Sequence, residues 1–166
     1  ELARRSDVVI ENFRRGVTRK LGIDYETLSA VNPRLVYCSC TAFGSRGPQR
    51  DRPGYDPVLQ TISGTAIGQH RYNGGITAIC VIAVSDYQAG MLMVAGACAA
   101  LYRRELTGRG QLVETSLLQA VMTLQAQNFV KALDTPEQGA MGIYPYRLFE
   151  TADGHIFIAG GTDRFW

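Results

Sequence analysis

Leu35-Val36-Tyr37-Cys38-Ser39-Cys40 is the stretch on which the fold turns. It contains no glycine or proline and opens on apolar and aromatic residues, so it reads as a strand. Just upstream, Asn32-Pro33 stops a helix that begins at Asp24-Tyr25-Glu26-Thr27-Leu28, because proline disfavours helical geometry in the residue before it. Val17 to Leu21 has short helical character. Earlier still, Val8-Val9-Ile10 follows Ser6-Asp7 and reads as a strand ending near Asn12, of the kind buried on both faces of a parallel sheet. Two strands joined by a helical crossover make a βαβ unit with a right-handed connection, so the expected class is α/β with a parallel sheet.

Downstream, Gly44 to Gly54 carries glycine, proline and charge and reads as a surface loop; Tyr55 to Ile67 follows as a helix and His70 to Gly75 as a polar turn. From Ile76 to Val84 the chain is apolar, and at Ser85-Asp86 a long apolar helix begins that runs to about Leu106. Its most apolar part, Gly90 to Leu101, is too short to cross a membrane, which takes about 20 residues, and Arg103-Arg104-Glu105 ends it. Its glycines and alanines suit close packing in a core. Thr107-Gly108-Arg109-Gly110 then reads as a turn, Gln111 to Thr115 as a strand, and Leu117 to Leu133 as a second long helix broken by Asp134-Thr135-Pro136. Arg147 to Glu150 and His155 to Ala159 alternate across Asp153-Gly154, a hairpin signal that marks a different module.

With 46% hydrophobic and 19% charged residues in 166, the chain has material for a core and none of the polar excess of a disordered segment. A formal charge of +2 gives no global reason to expect nucleic acid or an acidic membrane surface as a partner. Cys38, Cys40, Cys80 and Cys98 lack the spacing of a zinc site. Cys38, Cys40 and Cys98 are expected as buried free thiols, which points to a reducing compartment and hence the cytoplasm. No P-loop and no G-x-G-x-x-G after a strand supports nucleoside triphosphates or NAD. His70 and His155 have no partner pattern and read as surface or turn residues. Glu1 to Arg5 resembles the end of a helix and Arg164-Phe165-Trp166 the start of another, so the chain is expected to be an internal fragment.

Several motifs in order and register then carry a resemblance. Val8-Val9-Ile10-Glu11-Asn12-Phe13-Arg14-Arg15-Gly16, Leu21-Gly22, Asn32-Pro33-Arg34-Leu35-Val36-Tyr37-Cys38, Gly44 and Arg52-Pro53-Gly54-Tyr55-Asp56 fall in the first half. Asp86-Tyr87-Gln88-Ala89-Gly90, Ala100-Leu101-Tyr102, Thr107-Gly108-Arg109-Gly110-Gln111 and Ser116-Leu117-Leu118 fall in the second. Together they resemble the class III CoA-transferases, the superfamily of formyl-CoA transferase, carnitine CoA-transferase and 2-methylacyl-CoA racemase. The resemblance implies a Rossmann-like large domain that does not bind NAD, a smaller domain inserted in it, and two subunits interlocked as rings. Residues 1–116 would then be part of the large domain, 117–136 a connecting helix and 137–166 the start of the small domain.

The activity so implied is transfer of CoA from an acyl-CoA donor to a carboxylic acid, with no metal and no permanently bound cofactor, the CoA thioester being a substrate. Asp86 is the implied nucleophile. Taken locally it also reads as a helix N-cap, and at a helix start a carboxylate is expected to stay ionised. Asn12, Phe13, Arg14 and Lys20 are implied to hold CoA, Lys20 at the position of a basic residue that contacts its nucleotide end. For the neighbouring cations Arg14 and Arg15 a solvated face is an equal reading. Tyr55 takes a position near the acyl group where the racemases carry histidine; racemisation needs two groups to move the α-proton, so tyrosine favours transfer. The run of consecutive glycines found in formyl-CoA transferases is absent, and Gly139-Ala140-Met141-Gly142 is a looser counterpart, Gly139 and Gly142 standing as substrate-side candidates. Two other functions stay open: a 2-methylacyl-CoA racemase and a non-catalytic CoA-binding fragment.

Overall fold

In the computed structural model the described residues are 1–68, 78–126 and 145–160. Helix α1 (Leu2–Arg5) leads into β1 (Val8–Glu11), and two short helices, α2 (Val17–Leu21) and α3 (Tyr25–Val31), cross over to β2 (Val36–Thr41). Asp24 starts α3 by accepting the Thr27 N–H at 3.0 Å, the bond an N-cap side chain supplies, and Asn32-Pro33 ends it. β1 pairs with β2 in parallel, Val8 opposite Val36, so the βαβ unit forms as the sequence predicts. β3 (Leu112–Ser116) adds to the other side of β2, also in parallel, giving the order β1-β2-β3. This is a mixed α/β architecture around a parallel three-stranded sheet.

β2 is the central strand, and its side chains alternate between the two faces. Val36, Cys38 and Cys40 enter the core with Ala89, Met93 and Ala100 of α6 (Val84–Thr107), while Tyr37, Ser39 and Thr41 line the opposite face. α6 lies close on the sheet: a Cβ at Gly96 would stand 2.6 Å from Val113 Cγ1. Its other face, with Tyr87, Met91, Val94 and Tyr102, is exposed, and so is Cys98, expected as a buried thiol. Cys98 falls on the side of the helix turned from the sheet, which Ala-rich composition alone does not reveal.

A second cluster joins α4 (Asp56–Ile62) to α7 (Leu117–Leu124) through Phe43, Leu59 and Val121. Leu59 and Val121 are fully buried there, each contributing about 1.5–3 kcal/mol by removal from water. Tyr55 to Ile67 is not one helix: Gly64 adopts φ 83°, a left-handed conformation open to glycine, and separates α4 from α5 (Thr65–Gly68). β1 is also less buried than expected. Among the described residues it is an edge strand, and Ile10 is exposed.

The described part of the second long helix begins as predicted, Ser116 capping α7 by accepting the Gln119 N–H at 3.1 Å; its predicted continuation beyond residue 126 lies outside the described residues, as does the polar turn around His70. β4 (Tyr146–Glu150) and β5 (His155–Ala159) form an antiparallel hairpin. Its loop has four residues rather than an Asp-Gly two-residue turn: Glu150 pairs with His155, and the Thr151 N–H closes onto Gly154 O at 2.9 Å. No helix among the described residues is long and apolar enough to cross a membrane.

Candidate functional site

α6 runs antiparallel to the strands because Gly108, in left-handed conformation, turns it directly into β3, whose first residues pair with the start of β2. The amino end of α6 therefore lies toward the carboxyl ends of the strands, the side where open α/β sheets receive ligands. Asp86 sits there, in the first turn, and is exposed. It is not the cap. That position belongs to Ala83, which has no capping side chain, and one first-turn donor, the Ser85 N–H, is taken up from another element. Asp56 Oδ1 accepts from both the N–H and the hydroxyl of Ser85, at 2.8 and 2.5 Å. Among the described residues no donor bonds the Asp86 carboxylate.

Partial burial, and after it the charge of Asp56, push the Asp86 carboxyl above its ordinary value. The Cys40 thiol, buried in β2, is pushed up to about 11 by desolvation first, then by Asp86 and Glu11. One thiol thus senses both carboxylates. At neutral pH that thiol is protonated and a poor nucleophile.

Tyr55 stands beside this arrangement. It immediately precedes Asp56, its side chain is 70% exposed, and the Asp56–Ser85 bond ties its neighbour to the neighbour of Asp86. Asn12, Phe13, Arg14 and Lys20 are all exposed on the segment from the end of β1 through α2. Phe13 and Arg14 line a cleft of about 450 Å³ with Arg15, Arg19, Tyr37 and Glu114, on the sheet face opposite the core. Asn12 and Lys20 do not line it, nor do Tyr55 and Asp86. Arg15 is engaged with Asp51 at 2.8 Å, which draws the Gly44–Gly54 loop toward the end of β1, whereas Arg14 and Lys20 have no ion-pair partner among the described residues. A second, more apolar cleft of about 660 Å³ lies between Phe43–Arg46 and α7. Gly139 and Gly142 lie outside the described residues. Among the described residues no group of three His, Cys, Asp or Glu side chains could hold a metal ion.

Sequence reasoning missed Asp56, Gln60 and Ser85 as parts of this site. The available signal was an Asp and a Gln one helical turn apart in an otherwise apolar segment, which is where a buried polar pair would arise.

The whole chain, residues 1–166, matches the profile of CoA-transferase family III. The chain belongs to that family. It is 37% identical to the succinate–glutarate CoA-transferase of Agrobacterium fabrum, over 98% of the chain and 42% of the relative. It is 33% identical to the acetyl-CoA:oxalate CoA-transferase of Acetobacter aceti, over 100% of the chain and 44% of that protein. A solved Mycobacterium tuberculosis structure superimposes with a TM-score of 0.82 at 32% identity, covering 99% of the chain and 45% of the other. The chain of this family III member thus spans less than half the length of the relatives it matches.

Proposed function

We propose that the protein transfers CoA from an acyl-CoA donor to a carboxylic acid, with Asp86 as the nucleophile. The observation that carries this reading is a carboxylate in the first turn of α6 that neither caps the helix nor accepts a hydrogen bond among the described residues. Its raised pKa makes it a more basic and stronger attacking group than an ordinary carboxylate, at the cost of needing a pH high enough to ionise it.

Asp86 attacks the thioester carbonyl; the C–S bond breaks, leaving a mixed anhydride and CoA thiolate. The thiolate returns to the aspartyl carbonyl and expels the donor acid, giving an aspartyl-CoA thioester. The acceptor carboxylate attacks that thioester to form a second anhydride, and the thiolate released then attacks the acceptor's acyl carbonyl, regenerating Asp86. Each exchange joins species of similar reactivity and consumes no water, metal or redox equivalent.

Asn12, Phe13, Arg14 and Lys20 would hold CoA at the strand ends, with Lys20 toward the phosphates, and Tyr55 would flank the acyl group. Tyrosine at this position supports transfer over racemisation. The relatives named above act on succinate, glutarate and oxalate, so small dicarboxylic acids are the first acceptors to test. The acting form would be an interlocked homodimer.

The test is hydroxylamine trapping during turnover of the full-length protein, which should modify Asp86, combined with Asp86→Ala, which should lower kcat at least about 1000-fold with the fold retained. Undiminished turnover by Asp86→Ala would remove the mechanism. Lys20→Ala should raise KM for acyl-CoA about fivefold, the worth of one exposed charge contact, and an unchanged KM would speak against that contact.

A further inference from the structure

The segment that delivers Asp86 has almost no packing of its own. Residues 78–83 are irregular, with Val81 fully exposed and Ile82 65% exposed, and the apolar anchor comes at Val84, the first residue of α6, which packs against the cluster of Phe43, Leu59 and Val121. The lead-in before it is held by two polar side chains on α4. Asp56 is 5% exposed and Gln60 is sealed at 0%, one helical turn apart, with Gln60 Nε2 donating to Asp56 Oδ2 at 2.6 Å. Gln60 then grips the lead-in strand of chain on both sides of one residue: its Oε1 accepts the Cys80 N–H at 2.7 Å and its Nε2 donates to Cys80 O at 3.2 Å. Asp56 grips the helix start through the Ser85 N–H and hydroxyl.

A buried carboxylate and a buried amide are costly unless satisfied, and here each is satisfied by the backbone or hydroxyl of residues 80–85. The pair therefore holds only one arrangement of that segment. We propose that Asp56 and Gln60 are positioning residues, a latch on Cys80 and Ser85 that locks the first turn of α6 and so sets where the Asp86 carboxylate is presented. This rests on Asp86 being the attacking group.

The two members differ in what else they do. Asp56 adds a negative charge that acts on Asp86, whereas Gln60 contributes geometry alone. Among the described residues the Cys40 thiol of β2, neutral at working pH, also senses Asp86, and in the first turn of α6 the remaining titratable side chain is the exposed phenol of Tyr87. Removing the Asp56 charge therefore has a signature that loosening the segment does not.

The experiment compares Asp86→Asn, Asp56→Asn and Gln60→Leu in the full-length protein, using acetyl-CoA, succinyl-CoA or whichever acyl-CoA turns over. Asp56→Asn and Gln60→Leu should each lower kcat by about 10–100-fold, the effect of a misplaced reacting group, with KM for acyl-CoA within about twofold. The acid limb of the kcat/KM profile should move to lower pH in Asp56→Asn and stay in place in Gln60→Leu. Hydrogen exchange of the peptide over residues 78–90 should quicken in Gln60→Leu while the rest of the chain is unchanged. Asp56→Asn fills the same volume and keeps an oxygen for Ser85, so it remains readable should Gln60→Leu unfold. Full turnover by Asp86→Asn overturns the catalytic reading whatever the other two do. Loss of turnover in Asp86→Asn, with Asp56→Asn at wild-type kcat and an unmoved acid limb, overturns the latch alone.

Discussion

The two ends of α6 handle charge in opposite ways. At the carboxyl end Arg104 is nearly buried, pairs with Asp7 at 2.9 Å and reaches Arg34 O at 3.4 Å, and the Gly110 N–H donates to Pro33 O at 2.9 Å. A cation near the last turn also complements the helix dipole. At the amino end Asp86 has no bonded donor among the described residues, and the charge that acts on it is a second carboxylate. One end is closed by compensation; the other keeps an uncompensated charge on a first turn fastened from outside. The stabilising contacts at this end fall instead on its neighbours, Ser85 and Cys80.

Three substitutions break or sharpen this contrast. The largest effect belongs to the closed end: a Cβ at Gly110 would stand 2.0 Å from the backbone oxygen of Leu35, which cannot move aside without disturbing β2. Gly110→Ala should cost more than about 3 kcal/mol in denaturant unfolding, and a loss under about 1 kcal/mol would show that the approach is looser than described. Arg104→Met comes next. It keeps the buried stem but loses the bonds to Asp7 and Arg34, and since Asp7 is largely exposed the loss should be about 1–2 kcal/mol.

The smallest effect, opposite in sign, is at the amino end. The Asp86 pKa is raised on folding, so its contribution to stability is fully present below the unfolded carboxyl's value of 3.8 and is lost as pH rises through the folded one. The neutral Asp86→Asn should then equal wild type in acid and exceed it at neutral pH, by less than about 0.5 kcal/mol because the group is exposed and screened. Thermal melts across this range check the sign. A variant less stable than wild type at neutral pH would mean that the two ends of α6 are alike.

Local signals carried much of this. Proline after Asn32, Asp24 three residues before Thr27, and the apolar run of β2 located the crossover to within a residue or two, because strand, cap and breaker are properties of adjacent residues. The start of α6, expected at Ser85-Asp86 and found at Val84, was legible to within two residues for the same reason. What went astray depended on contacts across the chain. Cys98 was expected inside and is exposed, since composition does not say which side of a helix meets the sheet. The helix from Tyr55 broke at Gly64, where a positive φ decides and a lone glycine is ambiguous.

By itself the sequence determined the class of the chain, its motif register and the identity of the carboxylate at the head of α6, because periodicity and spacing are local facts. The tertiary structure alone decided that Asp56, in a different helix and 29 residues earlier, fastens Ser85 beside that carboxylate. A hydrogen bond between distant residues leaves no periodic trace in the chain; it exists only once folding has brought a buried acceptor to an otherwise orphaned donor.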